Sequence, residues 1–386
     1  MATNRNKQRP VLALSAVLAI ATGLTLVPQP ASAATAPILS IPAPTGPHHV
    51  GATTLDLKDT SRADPWVLTD PARELMVTMW YPTDVDHGAT VPYETLAESQ
   101  GYLIGKHATD YLPVDSLSEV VTHAYLNAPP AGLPHSLPLI VLSPGYTGQR
   151  SSVTSLAEDL ASHGYVVAAI DHTYETYAIE FPDGRIATCA TCAIDDDQDT
   201  FFPKLFQVHA ADVSFVLNEL TGAHRAWSGS RLIDATRIGM AGHSAGGAAA
   251  FSAMLADSRI DAGIDMDGTT YDQLPDSGLS RPFMFLGTQA EHSPGQDSTW
   301  DHDFSRLTGW RRWITVAGTI HNSFSDYQAF TDEIGLDLGG TTTGLRSIEI
   351  TRRYDLAMFD LHLRHIPQPL LDSASACYPE VTIAAK

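Results

Sequence analysis

Ser244 stands in Gly242-His243-Ser244-Ala245-Gly246, with Gly247 directly behind, between the apolar run "RIGM" and the small-residue run "AGGAAAFSAML". A serine hydroxyl is a weak nucleophile until a base takes its proton, and a sharp turn from strand to helix lifts it above a sheet where substrate reaches it. Glycines on both sides let neighbouring backbone pass closely. The strand–turn–helix setting therefore predicts Ser244 as a nucleophile rather than a bend residue. The same turn places the Ala245 amide at a helix N-terminus, facing a developing oxyanion. A second donor is expected in the loop after an earlier strand, and "LPLIVLSPGYTGQ" nominates the amide of Tyr146, with Gly145 permitting close approach of backbone to substrate.

The base is expected to be a histidine late in the chain. Of 16 histidines, His292, His302, His321, His362 and His365 lie well beyond the serine. His321, in "GTIHNSFSDY", stands just after the strand-like "RRWITVAG", and a loop leaving a strand is where a sheet presents catalytic side chains. His321 is therefore the expected base. His362 and His365 fall in the helix-like "YDLAMFDLHLRHI" and read as packing or surface residues, while His243 reads as a support for the turn. The acid stays open among Asp265, Asp267, Glu291 and Asp297, all of which follow strand candidates in the interval. Asp267 ends "AGIDMDG", one strand after the nucleophile, and period two puts it on the same face as Asp265. A carboxylate there would fix the imidazole tautomer and stabilise its charged form.

Positioning such a set requires a sheet. "LPLIVLSPG", "YVVAAIDH" and "RIGMAGHS" each lead to a helical pattern, "VTSLAEDLASHG", "VHAADVSFVLNEL" and "AGGAAAFSAMLA"; "AGIDMDG", "PFMFLGT" and "RRWITVAG" are further strands. Nearly continuous apolar strands separated by helices predict an α/β fold, a mainly parallel sheet covered on both faces. "TTLDLKD" and "RELMVTMWYP" alternate with period two and predict an opening antiparallel hairpin. "SLSEVVTHAYL" reads as a helix, and cap segments are expected at 93–130 and 173–203, where Tyr174, Tyr177, Phe201 and Phe202 could line an acyl pocket or pack the loop on the core.

Arg5, Lys7 and Arg9 precede "VLALSAVLAIATGLTLV" and the small residues Ala31, Ser32 and Ala33. This pattern predicts a secretory signal peptide at 1–33, cleaved after Ala33, followed by a linker or arm at 34–47 and one domain over 48–386. The net charge of −21, from 23 Lys and Arg against 44 Asp and Glu, argues against nucleic acid as a partner, while the serine, histidine and acid candidates point to an ester substrate, small-molecule or lipid. Cys189, Cys192 and Cys377 suit one disulfide and one free thiol in an oxidising compartment, without saying which pair forms. The run "DDDQD", Asp195–Asp199, lacks the glycine and terminal glutamate of a calcium loop and reads as a solvated turn. No metal or organic cofactor is implied.

"PTGPHHVGATTLDLKDTSRADPW", "RELMVTMWYP", "LIVLSPGYTG", "GHSAGG", "GIDMDGT" and "GTIHNSFSDY", in that order from about Pro44 to His365, resemble the platelet-activating factor acetylhydrolase family of the α/β-hydrolase superfamily, including its secreted bacterial lipase-like members. The resemblance implies that the acid sits at the "LDG"-type strand end, which is "MDG" here, and so points to Asp267. It implies a serine carboxylic ester hydrolase acting on short-acyl phospholipids or other lipid esters. Ala245 replaces a frequent phenylalanine of the family, and "PGY" at Tyr146 resembles the oxyanion loop of bacterial cutinases and polyester hydrolases. A cutinase-like lipase, a secreted acyltransferase and a non-catalytic binding protein on the same fold are the alternative expectations.

Overall fold

β-Branched and apolar runs between glycine- and proline-rich turns form twelve strands among the described residues, which are 37–195, 197–271 and 273–386 of the computed structural model. The expected signal peptide lies outside them. In chain order the strands are β1 (His49–Asp59), β2 (Arg73–Thr83), β3 (Tyr125–Leu126), β4 (Leu137–Ser143), β5 (Val166–Asp171), β6 (Ile179–Glu180), β7 (Ile186–Ala187), β8 (Ile233–His243), β9 (Ile260–Met266), β10 (Phe283–Thr288), β11 (Arg311–Val316) and β12 (Val381–Ala385). The helices are α1 (Leu96–Gly105), α2 (Thr154–Ser162), α3 (Gln198–Thr221), α4 (Ala245–Ala256), α5 (Gln289–His292), α6 (Ser298–Arg306), α7 (Tyr327–Glu333) and α8 (Gly344–Leu363).

Ten strands make one sheet in the order β12-β11-β10-β9-β8-β4-β5-β2-β1-β3. From β5 to β11 through β4, β8, β9 and β10 all pairs are parallel, whereas β2 joins β5 and β1 joins β2 antiparallel. The opening hairpin and the parallel centre are those expected from the apolar patterns. Alternation sorts the two faces: Ile140, Leu142, Val167 and Ala169 pack under α2 and α8, and Leu139, Val141, Val166 and Ala168 under α3, α4 and α6. Burial on both faces explains why these strands read as unbroken apolar runs. Each fully buried valine or leucine contributes roughly 1.5–3 kcal/mol of apolar transfer.

Two expectations are corrected. "SLSEVVTHAYL" is not helical; it forms turns that end in β3, and the helix of this region is α1, which opens with a capping box of Thr95 and Glu98. The backbone of Val121 pairs with Leu39 and Ile41, Val91 donates to the Ala124 carbonyl, and the buried Glu158 accepts the amides of His123 and Ala124. Long-range partners outcompete the helical ladder along the β-branched Val120-Val121-Thr122. The segment ending at Pro203 is also not all loop, because α3 begins at Gln198 and carries Pro203 in its second turn. Residues 37–47 form an extended segment docked on the body, with Leu39 and Ile41 buried and Arg352 donating to the carbonyls of Pro42 and Ala43.

Candidate active site

All the chemically interesting residues stand at the C-terminal edge of the parallel strands. Ser244 links β8 to α4 with φ 55° and ψ −126°, a conformation that L-residues rarely adopt and that neighbouring structure must enforce. The enforcing contacts explain the glycines. A Cβ on Gly242 would lie 2.4 Å from the Gly246 carbonyl carbon, and one on Gly246 would lie 2.2 Å from the Ser143 carbonyl oxygen. The Ser244 amide donates to the Met266 carbonyl at 2.8 Å, tying the turn to the end of β9.

His321 follows β11 and lies with Nε2 2.9 Å from Ser244 Oγ and Nδ1 2.7 Å from Asp267 Oδ2. With the Nδ1 proton donated to Asp267, the Nε2 lone pair faces the serine hydroxyl, so the hydroxyl proton has an acceptor in line. Asp267 is buried and takes a second hydrogen bond from the Thr288 amide at 2.6 Å. Burial alone would favour its neutral form, but the His321 hydrogen bond, the His292 charge and the Thr288 amide outweigh it and hold the carboxyl below its usual range. Burial likewise opposes a charge on His321, and the Asp267 hydrogen bond and charge overcome that, raising it above an ordinary histidine.

The other acid candidates have structural roles. Asp265 is buried, accepts the Gly268 amide and is pushed well above the carboxylate range by burial and the Asp267 charge, so it braces the turn after β9. Asp297 caps α6 through the amides of Thr299 and Trp300, and Glu291 is exposed on α5. His243 donates from Nε2 to the His321 carbonyl at 2.8 Å; burial and the nearby His321 charge push it down to about 3, so it stays neutral and props the loop.

Gly145 brings the loop after β4 against the serine, since a Cβ there would be 3.0 Å from Ser244 Cβ. Among the described residues neither the Tyr146 amide nor the Ala245 amide has a protein acceptor, which leaves both free for an oxyanion. Behind this loop lies a polar core that no sequence pattern announced. Ser143 Oγ meets His172 Nε2 at 2.9 Å, His172 Nδ1 meets Asp212, and the fully buried Arg73 binds Asp212, Asp64 and Glu175. The Glu175 carbonyl in turn accepts the Thr147 amide, so this network fixes both ends of the turn bearing Tyr146.

A cavity of about 270 Å³ opens beside Ser244 and His321. Tyr102, Leu103, Leu112 and Leu117 from 93–130 and Tyr327 and Phe330 from α7 line it. Tyr174, Tyr177, Phe201 and Phe202 are not in the lining; Phe201 and Phe202 pack with Tyr146 and Tyr271, and Tyr177 packs against Tyr102. For Phe201 and Phe202 these contacts are those of loop packing. Cys189 and Cys192 form the disulfide and Cys377 is free and exposed. Sequence reasoning did not place His292 at the acid; it stacks on Trp300 with ring centroids 4.2 Å apart and brings Nε2 within 3.5 Å of Asp267 Oδ1. A histidine two residues before a proline-glycine turn gives no local sign of that contact.

Comparison with known proteins now bears on this geometry. A probable 1-alkyl-2-acetylglycerophosphocholine esterase of Arthroderma benhamiae is 29% identical over 375 residues, covering 88% of this chain and 92% of its own. Cutinase est2 of Thermobifida alba is 35% identical over 108 residues, 28% of this chain and 27% of that protein. A solved structure, the ferulic acid esterase from Streptomyces cinnamoneus, superposes with a TM-score of 0.79 at 39% identity, covering 90% of this chain and 100% of that one. These similarities, with the sheet that carries the site, make the chain an ester hydrolase. The family model for platelet-activating factor acetylhydrolase, isoform II, matches residues 33–182 and 218–365, and the chain belongs to that family.

Proposed function

We propose that this ester hydrolase works through an acyl-enzyme on Ser244. The observation that carries the reading is the continuous chain of contacts from Ser244 Oγ to His321 Nε2 at 2.9 Å and from His321 Nδ1 to Asp267 at 2.7 Å. Ser244 Oγ attacks the ester carbonyl while His321 Nε2 takes its proton. The carbonyl oxygen becomes an oxyanion held by the amides of Tyr146 and Ala245. His321 then gives the proton to the alkoxide as its bond to the acyl carbon breaks; water, deprotonated by the same nitrogen, attacks the acyl-enzyme carbonyl, and the proton returns to Ser244 Oγ as the Oγ–acyl bond breaks and the acid leaves. Asp267 remains ionised throughout and stabilises the imidazolium.

The cavity suits a short acyl group, because about 270 Å³ lies just below the roughly 300–1,000 Å³ of drug-sized sites. Short-acyl lipid or phospholipid esters are the proposed substrates. The stacked Tyr102 and Tyr327, 5.3 Å apart, also suit a flat aromatic acid such as the feruloyl group named for the Streptomyces relative. Export with cleavage after Ala33 completes the reading, and N-terminal sequencing of the protein recovered from culture medium checks it.

The deciding experiment compares hydrolysis of acetyl to palmitoyl esters and of methyl ferulate by wild type and Ser244→Ala, alongside labelling by a fluorophosphonate. We expect activity concentrated on acetyl to butyryl esters, a fall of at least about 10³-fold in the variant, and labelling lost with Ser244. Preference for palmitoyl esters would favour a lipase, preference for methyl ferulate the aromatic reading, and acyl transfer to alcohols in place of water a transferase. An unlabelled, inactive wild type would leave a binding protein.

A further inference from the structure

Among the described residues, Lys106, directly after α1, is the one lysine or arginine lining the cavity, and no aspartate or glutamate lines it. In a chain of 44 acidic and 23 basic residues, a reacting cavity with a single uncompensated positive charge is a specific arrangement. The residue is exposed at the cavity mouth, yet its ammonium is drawn inward. Nζ donates to Thr147 Oγ1 at 2.6 Å and lies 5.8 Å and 5.6 Å from the ring centroids of Tyr102 and Tyr177. Among the described residues no carboxylate comes within ion-pair distance of it. A hydroxyl and two aromatic faces hold an ammonium in place without neutralising it. Two N–H donors remain, as does the hydroxyl proton of Thr147.

A cation just past a helix C-terminus also suits the helix dipole. That use would aim it at the free carbonyls of α1, whereas Nζ turns to Thr147, the residue after Tyr146. The charge is felt at the reacting groups: Lys106 is among the groups that act on His321, opposing its protonation. Burial of the ammonium lowers its own pKa from the usual lysine value.

We propose that Lys106 is a specificity residue that binds an anionic oxygen carried by the substrate close to its ester, a phosphate or a carboxylate. The position follows from Thr147, which holds Nζ beside the loop that would receive the ester oxyanion. The proposal rests on the acyl-enzyme reading of Ser244, since it assigns a substrate class to that same cavity.

The test uses acetyl esters matched in leaving-group acidity, one neutral, one bearing a carboxylate and one bearing a phosphate. The quantity read is the ratio of kcat/KM for each anionic ester to that for the neutral one. A ratio within one enzyme preparation cancels any general loss of folding or activity. We expect the ratio to fall about tenfold in Lys106→Met and Lys106→Gln and to be largely kept in Lys106→Arg. A fall with the phosphate ester alone identifies phosphate as the group read, and a fall with both identifies any oxyanion. Ratios unmoved by loss of the charge, in an enzyme that still turns over, overturn the assignment to Lys106 and leave the Ser244 reading intact. A wild type inactive on all three esters and unlabelled by fluorophosphonate removes the acyl-enzyme reading and this one with it.

Discussion

His321 couples the charge state of the site to pH. Its pKa is raised in the folded protein above the ordinary value of 6.5: burial works against the shift, and the Asp267 hydrogen bond and charge more than offset it. A raised pKa means that the folded state holds the proton more tightly than the unfolded chain. The stability from this group is therefore full below the unfolded pKa and is lost as pH rises through the folded one. On the proposed mechanism activity runs the other way, because Nε2 must there be unprotonated to accept the serine proton. We expect the acid limb of kcat/KM to lie above pH 6.5 and to move down in Asp267→Asn, with kcat reduced about 10³–10⁴-fold; pH–rate profiles of both proteins check it. A limb that stays in place would show that Asp267 does not set the histidine. At this scale the sequence was legible where chemistry imposes local pattern. Ser244 and His321 follow from a glycine-flanked turn and a post-strand loop, whereas choosing Asp267 over Asp265 needed the family resemblance. Lys106 and His292 meet the site only through folding, so no spacing reveals them.

The β8–α4 element shows how close passage of backbone fixes a side chain. Gly246 leaves no room for a methyl group, which would stand 2.2 Å and 2.4 Å from the carbonyl oxygens of Ser143 and Pro144. Gly246→Ala must push α4 away from β4 and with it the Ala245 amide. We expect a loss of about 1–3 kcal/mol in urea unfolding, and fluorophosphonate labelling slowed by more than stability alone explains. Labelling at the wild-type rate would mean that the turn tolerates displacement. Elements buried on two faces, such as β4, β5 and β8, were readable because a parallel sheet demands unbroken apolar residues. The segment 116–126 was misread because its partners lie far along the chain, Glu158 and Leu39 among them, and helical periodicity carries no trace of them. The start of α3 was hidden by Pro203, ordinarily a helix breaker, and by an acidic run that read as solvated loop.

At the level of the whole molecule, the α/β order and the mainly parallel central sheet were legible because connection rules leave few alternatives once strands and helices alternate. The closing strand was not, since "VTIAA" is short and pairs with a strand about 70 residues earlier. β12 runs antiparallel along β11, matching Val381 to Val316 and Ile383 to Ile314, and β11 is the strand that delivers His321. Without residues 381–385 the backbone of β11 would present unpaired N–H and C=O groups along one side. We expect that deletion to increase self-association relative to the full chain, seen as additional higher-order species by size-exclusion chromatography, with turnover falling in the fraction that associates. A monodisperse, fully active deletion would show that β11 needs no cover. A strip of five residues at the rim thus screens the flank of β11, on which a second molecule could otherwise dock edge to edge, beside the loop that carries His321.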